Sequence, residues 1–230
     1  MALSRTAWLM IGGGACVALI AVGSRASAGS SSGASSPANA GARPPQYVWG
    51  AWTAEDFQQL AQIARALRMQ PADLLAVLAS ESGLDPHRTN PANSDNPTAT
   101  GLNQLTSMAN DSVGITEAQR RYVRYLPVSE QLPLVYKYFA SVGYTKAGKV
   151  YPNASTIYAA NFAPNRIGSG SDDQVLYRRE EGAPYEENKS LDREGKGTIT
   201  IGDMTRQLDA VRSRSLYKTA RAALQTYAGV

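Results

Sequence analysis

Apolar residues recur along most of this chain at helical intervals. Phe57, Leu60, Ile63 and Leu67 follow a 3.6-residue period. Thr53 before Ala54, Glu55 and Asp56 reads as an N-cap with acids in the first turn. Pro71 opens a second helix, at a position where its missing N–H costs nothing, and Gly83 closes it. A polar stretch rich in Asn, Pro and Thr follows over residues 85–98 and reads as a loop. Residues 127–139 predict a helix, interrupted or begun by Pro133, with Leu134, Val135, Tyr138 and Phe139 inward. Residues 155–162 predict a short helix ending before Pro164. Residues 203–227 predict one long final helix with Met204, Leu208, Val211, Leu216 and Ala220 on one side. Strand alternation is scarce and there is no internal repeat, so the fold class is mainly α.

The first 45 residues do not share this patterning. Arg5 precedes an apolar run over residues 7–23, followed by Ala26-Ser27-Ala28. A positive start, an apolar middle and a small-residue site describe a signal peptide cleaved after Ala28. An uncleaved membrane anchor is the alternative, with a run of about 17 residues at the low edge for spanning. Either reading of residues 1–28 takes the chain out of the cytoplasm. Residues 29–45 are Gly, Ser, Ala and Pro with almost no bulky apolar side chains, the composition of a flexible linker. That leaves residues 46–230 as one domain, long enough to bury a substantial core.

Composition narrows the chemistry. The chain has 230 residues, a formal charge of +4, one cysteine and one histidine. Cys16 alone allows no intrachain disulfide and no cysteine metal site. His87 alone rules out a multi-histidine zinc site and leaves little room for a histidine-based triad. The mild positive charge suits anionic surfaces such as cell-wall polymers or lipid heads. No basic cluster is interleaved with aromatics, so nucleic acid is not a predicted partner. Carboxyl, hydroxyl and amide groups remain for catalysis.

Glu81 is the strongest candidate among them. It continues the apolar face of Leu74, Val77 and Leu78 on the second helix. A carboxyl there is desolvated and lies near the negative end of the helix dipole, and both effects favour the protonated form. A carboxylic acid that stays neutral near pH 7 suits general-acid work. The competing reading is a surface glutamate in a last helical turn.

Three blocks then occur in order: Glu81-Ser82-Gly83-Leu84-Asp85-Pro86, Ala99-Thr100-Gly101-Leu102-Asn103-Gln104-Leu105, and Ala160-Asn161-Phe162-Ala163-Pro164-Asn165-Arg166. Together they resemble lytic transglycosylases of lysozyme-like fold, which carry Glu-Ser, Gly-Leu-x-Gln and Tyr-Asn-Ala-Gly-Pro segments. Val128-Ser129-Glu130-Gln131-Leu132 before Val135-Tyr136-Lys137-Tyr138-Phe139 is similar to the phage- and secretion-associated branch. The resemblance implies cleavage of the β-1,4 bond between N-acetylmuramic acid and N-acetylglucosamine in peptidoglycan, with a 1,6-anhydro product and Glu81 as acid and base. It implies substrate contacts at Ser82, Gly101, Leu102, Gln104, Tyr158 and Asn161. Two features depart from the family: the loop between Glu81 and Gly101 is long, and Ala160 stands where a tyrosine is usual. Tyr158 is the nearest tyrosine in sequence. No second acid is obviously paired with Glu81, although Asp85 and Asp95 are nearby in the chain. A hydrolysing muramidase of the same fold and an inactive wall-binding or assembly module are the rival readings. The expected setting is exported: periplasmic, anchored in the inner membrane, or part of a virion or an envelope-spanning machine.

Residues 192–203 also fit the twelve-residue EF-hand register, with Asp192 and Glu194 at positions one and three and Gly197 at position six. Lys196 occupies position five, where an oxygen ligand belongs. The expectation is a degenerate calcium loop with Lys196 neutralising Asp192 and Asp203, and no cofactor. Were calcium bound, Asp192, Glu194, Thr198 and Asp203 would be its ligands.

Overall fold

The computed structural model describes residues 52–91 and 96–230. The proposed signal or anchor, the linker, and Asp95 lie outside the described residues. Among those described, no helix is long and apolar enough to cross a membrane.

The chain forms α1 (Ala54–Ala66), α2 (Pro71–Ser82), three two-residue strands β1 (Thr89–Asn90), β2 (Ala99–Thr100) and β3 (Leu105–Thr106), then α3 (Asn110–Val113), α4 (Glu117–Tyr122), α5 (Val128–Ser141), α6 (Gly143–Lys146) and α7 (Ala154–Phe162). A second strand pair, β4 (Val175–Arg178) and β5 (Thr198–Thr200), flanks α8 (Ala183–Glu186), and α9 (Ile201–Arg212) and α10 (Ser215–Ala228) end the chain. The protein is mainly helical, as the apolar periodicity predicts.

Helix α1 starts where the Thr53–Asp56 capping box puts it: the Thr53 amide donates to Asp56 Oδ2 at 2.7 Å, and the Asp56 amide to Thr53 Oγ1 at 3.2 Å. Helix α2 ends at Gly83, whose φ of +67° is the left-handed cap that glycine adopts without strain. Between these ends α2 is buried all round, since Leu74 to Ala79 are each at most 3 % exposed. It packs against α1, α7, α9 and α10.

Pro133 lies inside α5 and does not interrupt it. The carbonyl that its missing N–H leaves free, on Ser129, accepts from Gln59 Nε2 of α1 at 3.3 Å. The long final helix is a correction: it is two helices. Ser213 turns its hydroxyl back onto the Ala210 carbonyl at 2.8 Å, and Arg214 is extended with ψ of 143°. The break moves the buried face along by one residue, so Tyr217 is buried and Leu216 only half-buried. The 85–98 loop likewise contains β1, which pairs antiparallel with β2, and β2 pairs with β3. Strands this short carry no legible alternation.

The core has two apolar clusters. The larger surrounds α2, and a smaller one joins Leu105, Ala109, Val113, Val123 and Leu134. Helix α5 serves both, and Tyr138 packs against both. Buried side chains fix the small β region to the helices. Arg120 donates to the Pro97 and Leu105 carbonyls at 2.8 and 3.2 Å and pairs with Glu117 at 2.6 Å. Its guanidinium holds the Glu117 carboxyl down to about 2.

The 192–203 loop is tied internally. The Asp192 carboxylate accepts from the backbone amides of Lys196 (3.0 Å) and Gly197 (2.7 Å) and from the Tyr185 hydroxyl (2.7 Å). The Lys196 ammonium lies 2.9 Å from Asp203, which also binds Arg206 and caps α9 through Thr200. Glu194 turns to Arg206, and Thr198 belongs to β5. Burial alone would raise the Asp203 pKa, but Lys196 and Thr200 more than offset it and hold the group below its ordinary value. Two cationic side chains thus stand on the last acid of the loop. Replacing both in a Lys196→Asp/Arg206→Gln variant should make thermal stability calcium-dependent, with a Tm rise of roughly 3 °C or more in millimolar calcium that the parent lacks. An unchanged Tm would contradict the EF-hand register.

Candidate active site

A cavity of about 480 Å³ opens between the two apolar clusters. Its wall includes Glu81 from α2, Asn103 and Gln104 from the turn before β3, Tyr138 from α5, and Asn161 and Arg166 from the end of α7 and the loop beyond. All three sequence blocks therefore reach one space.

Glu81 is the penultimate residue of α2 and half-buried, and its Oε1 is enclosed without a hydrogen-bond donor from the protein. Burial pushes its pKa up from 4.5 to about 7, opposed only by the Asn161 side-chain amide. The carbonyl end of α2 acts in the same direction as burial.

Asn161 is held from the side. The Tyr138 hydroxyl donates to the Asn161 backbone carbonyl at 2.9 Å, in the last turn of α7. Tyr138 is also close enough to Glu81 for a carboxylate there to raise the phenol pKa, in addition to the larger effect of burial. From the sequence Tyr138 reads only as an inward-facing core residue of α5; the structure places it in the cavity wall. Its helical period was visible; that α5 crosses beside Glu81 was not.

The other candidate residues divide between the wall and its surroundings. Gln104 is in the wall, at a left-handed φ of +45°, and its Nε2 donates to the carbonyls of Gly101 (2.8 Å) and Arg88 (3.2 Å). Ser82 is buried with its hydroxyl bonded back to the Leu78 carbonyl at 3.1 Å, and is not in the wall. Leu102 and Tyr158 are each 1 % exposed, beneath the wall rather than in it. Tyr158 is nonetheless near enough to feel a charge on Glu81, after the dominant effect of burial, and lies beside Ser80. Gly101 is outside the wall too, and its role is packing. With φ of +76°, a Cβ there would meet Gln131 Oε1 at 2.6 Å and Val123 Cγ1 at 2.7 Å. Gln131 needs that space: buried, its Oε1 accepts from the Leu102 amide at 2.9 Å, and the two hydrogens of its Nε2 are shared among the carbonyls of Pro86, Val123 and Leu126.

Two further charged groups border the cavity. Asp111 of α3 is exposed, and it is not among the groups that shift Glu81. Arg166 pairs with Glu181 at 2.5 Å and lies over the Tyr177 ring at 4.5 Å. Asp85 is on the surface, accepting from the His87 amide at 2.9 Å, and so shapes a turn. His87 is exposed, with Nδ1 2.6 Å from the Arg124 carbonyl. No group of three or more His, Cys, Asp or Glu side chains placed to hold a metal occurs among the described residues.

No family model, curated protein or solved structure matches the chain. What the arrangement can do chemically follows from its parts: one acid that titrates near neutrality, amides that donate and accept, and a phenol.

The raised pKa has a sign in stability. Folded Glu81 holds its proton more tightly than unfolded Glu81, so its contribution is fully present below about pH 4.5 and is lost as pH rises through about 7. Above that, ionising Glu81 costs the fold about 3 kcal/mol. Glu81→Gln cannot ionise. Its stability relative to the parent should therefore increase between about pH 5 and pH 8 by that order, read by denaturant unfolding. A difference independent of pH would contradict the burial of this carboxyl.

Proposed function

We propose that this protein is a peptidoglycan lytic transglycosylase of lysozyme-like fold, acting outside the cytoplasm. The observation that carries the reading is the convergence of the Glu-Ser, Gly-Leu-x-Gln and Asn-x-x-Pro blocks on one cavity, through Glu81, Gln104 and Asn161. Support also comes from the raised pKa of Glu81, which keeps an acid available near neutrality.

In this reading the glycan lies across the cavity with its scissile oxygen at Glu81. The Glu81 proton passes to the glycosidic oxygen as the bond to C1 of the muramic residue breaks. The resulting carboxylate then takes the proton from the C6 hydroxyl of the same sugar, whose oxygen closes on C1. One C–O bond breaks, one forms, the proton on Glu81 is restored, and no water is consumed. A second carboxylate is unnecessary because the nucleophile belongs to the substrate. The Asn161 side-chain amide favours the carboxylate form of Glu81, and Tyr138 donates to the Asn161 backbone carbonyl. Tyr138 thereby supplies from α5 a phenol beside the acid, where the third block carries Ala160. This weighs against the rival reading of an inactive wall-binding module. The exported setting rests on Arg5, the 7–23 apolar run and Ala26-Ser27-Ala28.

One observation favours a second reading. Asp111 is the other carboxylate of the cavity wall, and a hydrolysing muramidase would use it to activate water.

Purified sacculi digested by the protein should release anhydromuropeptides, identified by mass spectrometry. Glu81→Gln should slow release by roughly 10²–10⁴-fold, and activity should fall as pH rises past about 7, where the acid ionises. Reducing-end products, lost in Asp111→Asn, would replace the lyase by the hydrolase. Wall binding without products would favour the binding module.

A further inference from the structure

The charge of this chain is unevenly placed. All 19 Asp and Glu precede residue 210, and so do 19 of the 23 Lys and Arg. The whole formal charge of +4 therefore falls in residues 210–230, on Arg212, Arg214, Lys218 and Arg221. Between residues 52 and 209 the acids outnumber the cations, 19 to 16. The body of the domain thus repels a polyanion, and the last helix attracts one. We propose that the exposed face of α10 is a docking surface for the carboxylates of the cell-wall polymer, an assignment that rests on the reading of peptidoglycan as substrate.

Three of these cations stand in the open. Arg214 at the N-cap, Lys218 and Arg221 follow one another at helical spacing, and all three are exposed. No ion pair or side-chain hydrogen bond engages them among the described residues. Arg212 is different, since it is spent on Asp73 at 2.7 Å and on Asp209 at 3.6 Å. Asp73 feels Arg221 through charge alone. The three free cations span roughly 10 Å of helix. That is close to the screening length of physiological salt, so they repel one another and act together on an anion. Helix α10 packs against α1, α2 and α9 and contributes nothing to the cavity wall. A polymer held on its outer face therefore leaves the Glu81 cavity open.

The kind of anion follows from what lies between the cations. Ser215, Thr219, Ala222, Gln225 and Thr226 are the other exposed positions of α10, and none carries a large apolar side chain. A helix that settles on a bilayer needs such side chains to enter it. A hydrated polymer with repeated carboxylates needs only the cations and hydroxyl or amide neighbours. The stem peptides of peptidoglycan supply carboxylates in that form. Because the rest of the domain is net negative, the same charges also set which side of the protein meets the wall.

Sedimentation with purified sacculi tests it, using the full chain carrying Glu81→Gln so that the wall stays intact. Native sacculi should bind about tenfold more tightly than sacculi whose carboxylates have been amidated, the factor that three exposed ion pairs imply. The preference should vanish at about 1 M salt, where such pairs are screened. Adding Arg214→Gln, Lys218→Gln and Arg221→Gln should abolish it and leave Tm unchanged or higher, because like charges are removed. Lys137→Gln, Lys146→Gln and Lys189→Gln, which remove as much charge elsewhere, should keep it. Equal binding of the two kinds of sacculi overturns the docking surface without any α10 variant. So does a preference that survives the α10 substitutions or is lost equally in the control. A preference for phosphatidylglycerol over phosphatidylcholine vesicles that disappears with the α10 cations, in place of one for native sacculi, overturns it in favour of lipid. No binding of either kind of sacculi, and no product from the unsubstituted chain, overturns the cell-wall reading beneath it.

Discussion

Helix α2 has no face for water, and the rest of the site follows from that constraint. Leu74 to Ala79 are enclosed by α1, α7, α9 and α10, so the helix cannot rotate or slide without opening the core. Burying side chains of this size stabilises by about 1.5–3 kcal/mol each for the larger ones, which is ample to carry one unfavourable group at the end. That group is Glu81. The same packing that fixes its Cα leaves Oε1 without a donor, and the consequence is a carboxyl that keeps its proton to about pH 7.

Helix α5 provides the second fixed point. It belongs to both apolar clusters; its Tyr138 stands in the cavity wall, and its Gln131 is bonded to the turn that carries Asn103 and Gln104. Gln131 pins the turn that presents Asn103 and Gln104, while Tyr138 pins the carbonyl of Asn161. The backbone that carries Asn103, Gln104 and Asn161 is thus tied to α5 at two points. Of the buried polar side-chain atoms without a partner, Glu81 Oε1 and both ends of Asn103 belong to residues of the cavity wall, whereas Ser80 Oγ, Thr100 Oγ1 and Asn110 Oδ1 lie outside it.

Much of this was legible in the sequence, for identifiable reasons. The start of α1 and both ends of α2 follow from Thr53, Asp56, Pro71 and Gly83, residues whose side chains or φ preferences dictate a terminus locally. Glu81 was legible because it continues an apolar face. Lys196 was legible because the twelve-residue register fixes where position five must point. The break at Ser213 was not: neither Ser213 nor Arg214 is a strong breaker, and the buried face resumes one residue out of phase. Gly101 called for closeness, but only the fold reveals that what approaches it is Gln131 rather than a ligand. Tyr138 and Asn103 were invisible as residues of the cavity wall, since one reads as helix core and the other as turn. Their placement depends on which helix crosses where.

The site depends on Glu81 keeping its proton to near neutrality. A ¹³C NMR pH titration of the Glu81 side-chain carboxyl, assigned against Glu81→Gln, should give a midpoint near 7. A midpoint near the ordinary 4.5 would show a solvated carboxyl with no acid left for catalysis at neutral pH.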